Sequence, residues 1–278
     1  MLPTGRIAGI MLDDAAAIVA AVRREKRRIA QAAELVAKSF KAGGRVVFVG
    51  AGTSGRLGVL EAAELPPTFG IAPRRAVAIM AGGSAAVGRA REGVEDDARA
   101  GAAAMRRLRL SGRDVVVAIS ASGVTPFVRA AVAAAVHSHI IGITCDPGSP
   151  LRRAADVCIV LRTGPEIISG STRLKAGTAT KIALNTITTT AMIRIGKTYG
   201  NLMVDVRITS AKLRDRAIRI LSTVTGLDAA AASALLARAG GHVKTAIVMH
   251  DAHLSKAAAA ARLTRAGDSL RAALASRQ

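Results

Sequence analysis

The chain has 278 residues, 50% of them hydrophobic, and a formal net charge of +21. That is enough for one large α/β domain plus a small appended one; no apolar run reaches the ~18 residues a membrane span needs, and the N-terminus lacks the basic-then-apolar layout of a secretory signal. The charge raises the question of nucleic acid, but four Phe, one Tyr and no Trp give a basic groove few stacking partners, and no zinc-finger or RNA-binding spacing appears; we expect a cytoplasmic protein with neither nucleic acid nor membrane among its partners.

Residues 1–42 read as a helical segment. Ala, Ile and Val recur at helical spacing through MLDDAAAIVAAV and IAQAAELVAKSF until KAGG ends the pattern. From 43 to 209 short β-branched runs alternate with helical stretches. VVFV (46–49), AVAIM (76–80), DVVVAIS (114–120), HIIGITC (139–145) and VCIVL (157–161) are expected strands. Helices are expected from near Ser54, across 85–109, over 127–136 and from 172 to 199. Runs that are apolar throughout imply a sheet covered on both faces, and the alternation implies parallel order with right-handed crossovers. The expected fold is α/β, a doubly wound, mainly parallel five-stranded sheet. From 210 to 278 the strands stop and short helices separated by glycine turns form a small C-terminal module. His137, His139, His242, His250 and His253 lack metal-ligand spacing, as do Cys145 and Cys158, which read as buried thiols in a reducing compartment. We expect no metal and no cofactor.

The chemistry concentrates in the loops that leave the expected strands. GAGTSG (50–55) is not a P-loop, because the GK[ST] ending is absent, and no acidic residue stands about 20 positions on to hold a ribose. What remains is a turn in which Gly52 and Gly55 let backbone N–H groups approach an anion, Thr53 and Ser54 add hydroxyls, and a helix N-terminus adds its positive end. SASGVTP repeats the pattern with Ser120, Ser122, Gly123 and Thr125. Ordinary strand–helix turns share these features, but two such loops at neighbouring strand ends suit one phosphomonoester. A third hydroxyl-rich segment, SGSTRLKAGT, offers Ser169, Ser171 and Thr172 as caps of the long helix and Arg173 or Lys175 as charge. Among the acids, Glu64 precedes Leu65-Pro66-Pro67, near a helix end; Glu92 and Glu95 are spaced to share a helix face, either as a solvated patch or as part of a site. Acid/base work on a carbon acid needs one well-placed carboxylate.

Taken in order, GAGTSGRLGVLEAAELPPTFG, AGG with EGVEDD, SASGVTPF, SGSTRLKAGTATKIALNTITTTAMIRIGKTYGNLMVDV and GHVKTAIVM resemble the N-acetylmuramic acid 6-phosphate etherases, a family built on the sugar isomerase (SIS) domain and related to the non-enzymatic glucokinase regulatory protein. The resemblance spans nearly the whole chain. It implies an SIS-type α/β/α sandwich and a homodimer. It implies a cytoplasmic lyase of cell-wall recycling that needs neither metal nor nucleotide. The substrate would be an amino-sugar phosphate, whose D-lactyl ether is cleaved by elimination and then hydration. In the family pattern the glutamate of EAAELPP, here Glu64, protonates departing lactate, and the second glutamate of EGVEDD, here Glu95, is also in the active site. The hydroxyl loops carry the phosphate. Two departures stand out: Val124 replaces the arginine of an SGRTP loop, and the family pattern extends further at the N-terminus. A sugar-phosphate-binding regulator would keep the serine loops without needing an acid, and an isomerase would need only a base serving C1 and C2.

Overall fold

The computed structural model describes residues 2–275. They form two compact units, with boundaries at Ala63/Glu64, Pro73/Arg74 and Ala191/Met192; the sequence pattern suggested divisions at 42/43 and 209/210 instead. The first unit opens with α1 (Thr4–Ala15), α2 (Ala17–Arg24) and α3 (Lys26–Lys41), so the expected N-terminal helical segment is interrupted at Ala16 and at Glu25. There follow β1 (Val46–Gly50), α4 (Gly52–Phe69), β2 (Ala76–Met80), α5 (Ala85–Gly88), α6 (Ala98–Arg107), β3 (Val115–Ile119), α7 (Pro126–Ala134), β4 (His139–Thr144), α8 (Leu151–Ala154), β5 (Val157–Val160) and α9 (Lys175–Arg194). The five strands make one sheet in the order β2-β1-β3-β4-β5, every pair parallel.

Both faces of this sheet are covered, which explains the uninterrupted apolar runs. Val47, Val49, Val116 and Ala118 point into a core completed by Met105 of α6, Phe127, Val128 and Ala131 of α7 and Leu151 of α8. On the other face Gly58 of α4 lies so close to Phe48 that an added Cβ would stand 2.9 Å from the Phe48 Cβ. α3 packs against β1, β3 and β5. Cys158 is buried and Cys145 partly so, both as free thiols; burial pushes the Cys145 thiol up to about 11, which keeps it protonated at neutral pH.

One expected helix is not continuous. The 85–109 stretch is alanine-rich, but residues 89–97 leave the helix and form turns. Gly93 takes φ 69, a left-handed conformation open to glycine, and Asp97 caps the restart of α6 by accepting the Ala100 N–H at 2.8 Å. Glu92 and Glu95 therefore sit in a loop rather than on one helix face. The long helix is also shorter than the expected 172–199, beginning at Lys175 and ending at Arg194.

The second unit contains the helical module: α10 (Ala211–Thr225), α11 (Ala229–Arg238), α12 (Val243–Asp251), α13 (Lys256–Arg265) and α14 (Leu270–Ala275). Four of these starts obey the same local rule. Ser210, Asp228, Ser255 and Ser269 each accept the N–H three residues on, at 3.3, 2.8, 3.3 and 3.3 Å, and Gly226 ends α10 in the left-handed conformation. Leu221, Leu235, Leu236, Ile247, Leu263 and Leu270 meet in its core. No single helix among the described residues is long and apolar enough to cross a membrane.

Candidate active site

The strand order reverses direction between β1 and β3. The chain leaves β1 toward β2 on one side, and leaves β3 toward β4 on the other. Loops beyond the C-terminal ends of two such strands diverge and leave a crevice, the usual ligand position in an open parallel sheet. Here the two loops are GAGTSG and SASGVTP.

The first turn is forced by its glycines. Only Ala51 separates β1 from α4. A Cβ on Gly50 would meet the Gly55 N at 2.7 Å, and a Cβ on Gly55 would meet the Gly50 carbonyl oxygen at the same distance. Both positions must lack side chains for the helix to start directly above the strand. The hydroxyls of Thr53 and Ser54 make no hydrogen bond among the described residues, so both remain free at the N-terminal turn of an 18-residue helix. The second turn holds itself together. The Ser120 Oγ accepts the Gly123 N–H at 2.9 Å and lies 3.0 Å from the Thr125 Oγ1. Gly123 has φ 72, and a Cβ there would fall 1.7 Å from the Ser149 Oγ. Pro126 then opens α7 at a position where its missing N–H costs nothing. Ser120 and Thr125 thus shape the loop, while Ser122 accepts only a long 3.4 Å contact from the Val124 N–H.

These turns line one cavity of about 330 Å³, whose walls include Gly52, Thr53, Ser54, Ser120, Ser122 and Thr125. Glu95 and Asp96 complete it. The Glu95 carbonyl accepts the Phe127 N–H at 3.0 Å, which ties the 89–97 loop to the first turn of α7. Thr172 also reaches the wall, the one residue of the third hydroxyl-rich segment to do so. Its signal in the sequence was that segment's clustered hydroxyls; Asp96 had only its position beside Glu95.

The other candidate residues lie elsewhere. Gly55 and Gly123 support the turns without lining the cavity, Ser169 is exposed, and Ser171 is not part of the wall. The cap of α9 is Glu166, whose two carboxylate oxygens each accept an N–H at 2.9 Å, from Lys175 and Ala176. Lys175 does not face the cavity: it is buried, and its Nζ pairs with Asp14 at 2.6 Å. Glu64 is exposed on α4 and does not line the cavity. Its neighbour one turn earlier, Glu61, is buried, accepting the Thr188 hydroxyl and standing 3.6 Å from the Lys181 Nζ.

Among the described residues the cavity wall contains no Lys or Arg. Arg56, the nearest basic residue in the first motif, spends its guanidinium on the Ala86 and Val87 carbonyls at 2.9 and 2.8 Å. An anion here is met by helix N-terminal amides and free hydroxyls rather than by a fixed cation, with two carboxylates beside it. That combination suits a phosphate ester whose remainder undergoes acid/base chemistry.

Comparison with known proteins gives a consistent set of likenesses. Residues 28–136 match the glucokinase regulatory protein N-terminal SIS domain and residues 95–190 the SIS domain. The chain is 50% identical over 251 residues to an N-acetylmuramic acid 6-phosphate etherase of Deinococcus radiodurans, covering 90% of this chain and 82% of that one. It is 52% identical over 235 residues to one from Gloeobacter violaceus, covering 84% and 77%. Among solved structures, the phosphoheptose isomerase GmhA from Neisseria gonorrhoeae aligns with a TM-score of 0.52 at 21% identity, over 66% of this chain and 97% of that one. The Vibrio vulnificus NanR protein complexed with ManNAc-6P aligns with a TM-score of 0.51 at 17% identity, over 81% and 71%. At those identities the structural likeness speaks for the fold.

Proposed function

The chain belongs to the N-acetylmuramic acid 6-phosphate etherase family, and on that premise we propose how its residues divide the work of a carbon–oxygen lyase. The enzyme cleaves the D-lactyl ether of N-acetylmuramic acid 6-phosphate to N-acetylglucosamine 6-phosphate and D-lactate. The observation that carries the assignment of the site is the single cavity formed by the Gly52–Ser54 turn, the Ser120–Thr125 turn and Glu95.

The phosphate rests on the α4 N-terminal amides and the hydroxyls of Thr53, Ser54 and Ser122. The sugar opens to its aldehyde, which acidifies the C2 proton. Glu95, the glutamate beside the phosphate, takes that proton. The C3–O bond breaks, its electron pair leaving with the lactyl oxygen, and Glu64 supplies the proton that makes this alkoxide a neutral alcohol. Water then adds across C2=C3, placing OH at C3 and H at C2. General acid and base assistance at such steps is worth roughly 10²–10⁴-fold each. Lys175 is held by Asp14, so the hydroxyls of the two turns are the donors available to the enolate.

Glu64 is exposed and is not one of the residues lining the cavity; its role is met if it enters the cavity of a second copy. A homodimer fits the surface of α1, which buries none of its residues and exposes Ile7, Ile10, Met11 and Leu12. The free thiols suit a reducing cytoplasm, where phosphorylated cell-wall sugars would be recycled.

The test is direct. Purified protein incubated with N-acetylmuramic acid 6-phosphate should release D-lactate, and Glu64→Ala should release at least roughly 100-fold less. Wild-type release no greater than that of Glu64→Ala would overturn the assignment. In ¹⁸O-labelled water the label should enter sugar C3 and not lactate; labelled lactate would mean that a different bond breaks.

A further inference from the structure

A larger cavity lies wholly within the second unit. It measures about 770 Å³ and is bounded by the 204–209 segment, Gly240, Gly241 and the first turn of α12. Four of the charged side chains in its wall pair with one another. The Lys197 Nζ lies 3.0 Å from Asp205 and 2.8 Å from Asp268, and the Lys244 Nζ lies 2.6 Å from Asp205 and 3.2 Å from Asp268. Lys244 is only 4% exposed. Two cations thus balance two carboxylates, and the quartet is electrically neutral.

Three further features are left over once that quartet is accounted for. Arg207 and Arg214 line the same cavity, and their guanidinium groups have no acceptor among the described residues. The nine-residue helix α12 begins here without a side-chain cap, because the His242 side chain makes no capping bond, so its first N–H groups are unsatisfied. Thr245, in that first turn, lines the cavity at 8% exposure, and its hydroxyl has no partner among the described residues. The rest of the residue is enclosed, so this hydroxyl is the part of Thr245 left open to the cavity. Unsatisfied donors, two free guanidinium groups and no uncompensated carboxylate call for an anion with several acceptor oxygens.

We infer that this cavity binds a phosphorylated compound of sugar size, its phosphate seated on the first turn of α12 and the Thr245 hydroxyl, with Arg207 and Arg214 closing over it. Guanidinium groups match phosphate oxygens two at a time. The volume falls in the range of roughly 300–1,000 Å³ typical of small-molecule sites, so the phosphate would be one end of a larger ligand. The site shares no residue with the cavity between β1 and β3, and its existence is independent of the etherase assignment.

The experiment uses the full chain with the first cavity disabled by Ser54→Ala and Ser122→Ala, and titrates it calorimetrically with inorganic phosphate and then with glucose 6-phosphate. Phosphate should still bind, and glucose 6-phosphate should bind more tightly. Adding Arg207→Ala and Arg214→Ala should weaken both by roughly 10-fold or more. These arginines are exposed, so the fold should survive their loss, and an unchanged circular dichroism melt checks it. Thr245→Val should weaken binding and Thr245→Ser should restore it. No phosphate uptake in the cavity-disabled protein, uptake indifferent to the arginines and to Thr245→Val, or glucose 6-phosphate binding no tighter than phosphate would each overturn the inference.

Discussion

Val124 sits at the mouth of the cavity between β1 and β3, 52% exposed, in a wall that offers a phosphate no fixed positive charge. A guanidinium placed there would add charge-assisted hydrogen bonds to whatever the hydroxyls already supply. Val124→Arg should therefore lower KM for the sugar phosphate by roughly 10-fold while leaving kcat nearly unchanged, because the added contact lies at the phosphate and not at C2 or C3. Steady-state kinetics decide it, and an unchanged KM would mean that the phosphate does not approach position 124. At the opposite end of the sheet a different residue answers for stability. Asp114 is buried and takes the Arg45 guanidinium at 2.9 Å and the N–H groups of Arg45 and Ser111 at 2.7 and 2.8 Å. Burial by itself would raise its pKa, but the Arg45 and Ser111 contacts prevail and hold it at about 2, against 3.8 for a free carboxyl. A carboxylate whose folded pKa is depressed stabilises the fold above its unfolded pKa and loses that contribution as pH falls toward the folded value. Asp114 should thus contribute about 2 kcal/mol at neutral pH, lost between about pH 4 and pH 2. Urea titrations of wild type and Asp114→Asn across that window should converge at the acid end; parallel curves would dismiss the pair as the cause.

Helix α6 meets α7 at Gly101, where an added Cβ would lie 2.1 Å from the Phe127 carbonyl oxygen. Alanine normally stabilises a helix interior relative to glycine by up to about 1 kcal/mol. Here the overpacking should win, and Gly101→Ala should destabilise by about 1–3 kcal/mol. Because Phe127 also donates its N–H to the Glu95 carbonyl, pushing the helices apart should raise KM or lower kcat as well; a thermal melt and a kinetic run on the same variant test both, and a stabilised, fully active variant would refute the contact. The helices also mark where the sequence was readable and where it was not. The strands at 46–49, 76–80 and 157–161 were legible because a strand covered on both faces has no polar positions, and VVFV and VCIV can hardly be anything else. The two hydroxyl turns were legible because each follows such a strand and opens a helix. The 89–97 loop was missed because alanine and arginine keep helix propensity high on both sides of Gly93, although Asp97 before ARAG was a readable cap. That break puts Glu95 on a loop that reaches the cavity. The fate of Lys175 was not legible at all: its partner Asp14 stands 161 residues away, a pairing that only the packed fold brings about.

At the scale of the whole molecule the unresolved pairing is between two glutamates. Glu95 stands in the wall of the cavity between β1 and β3, and Glu64, an exposed residue of α4, does not. If Glu64 protonates lactate in a cavity belonging to another copy, catalysis requires assembly, and each active site draws on two chains. The arrangement has a consequence that a purely intrachain site lacks. Glu64→Ala and Glu95→Ala, each alone, should lose at least roughly 100-fold in kcat. Mixed and allowed to exchange subunits, they form some assemblies in which one cavity receives intact Glu95 from the first variant and intact Glu64 from the second, while the reciprocal cavity has neither. A one-to-one mixture of two nearly inactive proteins should then regain about a quarter of wild-type activity, by random pairing of two-chain assemblies. With both glutamates supplied by the same chain every cavity in the mixture would lack one of them, and no recovery would occur at any ratio. Light scattering on the same samples supplies the remaining control, since subunit exchange needs a dimer. A monomeric wild type with full activity would place Glu64 beside its own cavity and discard the shared site.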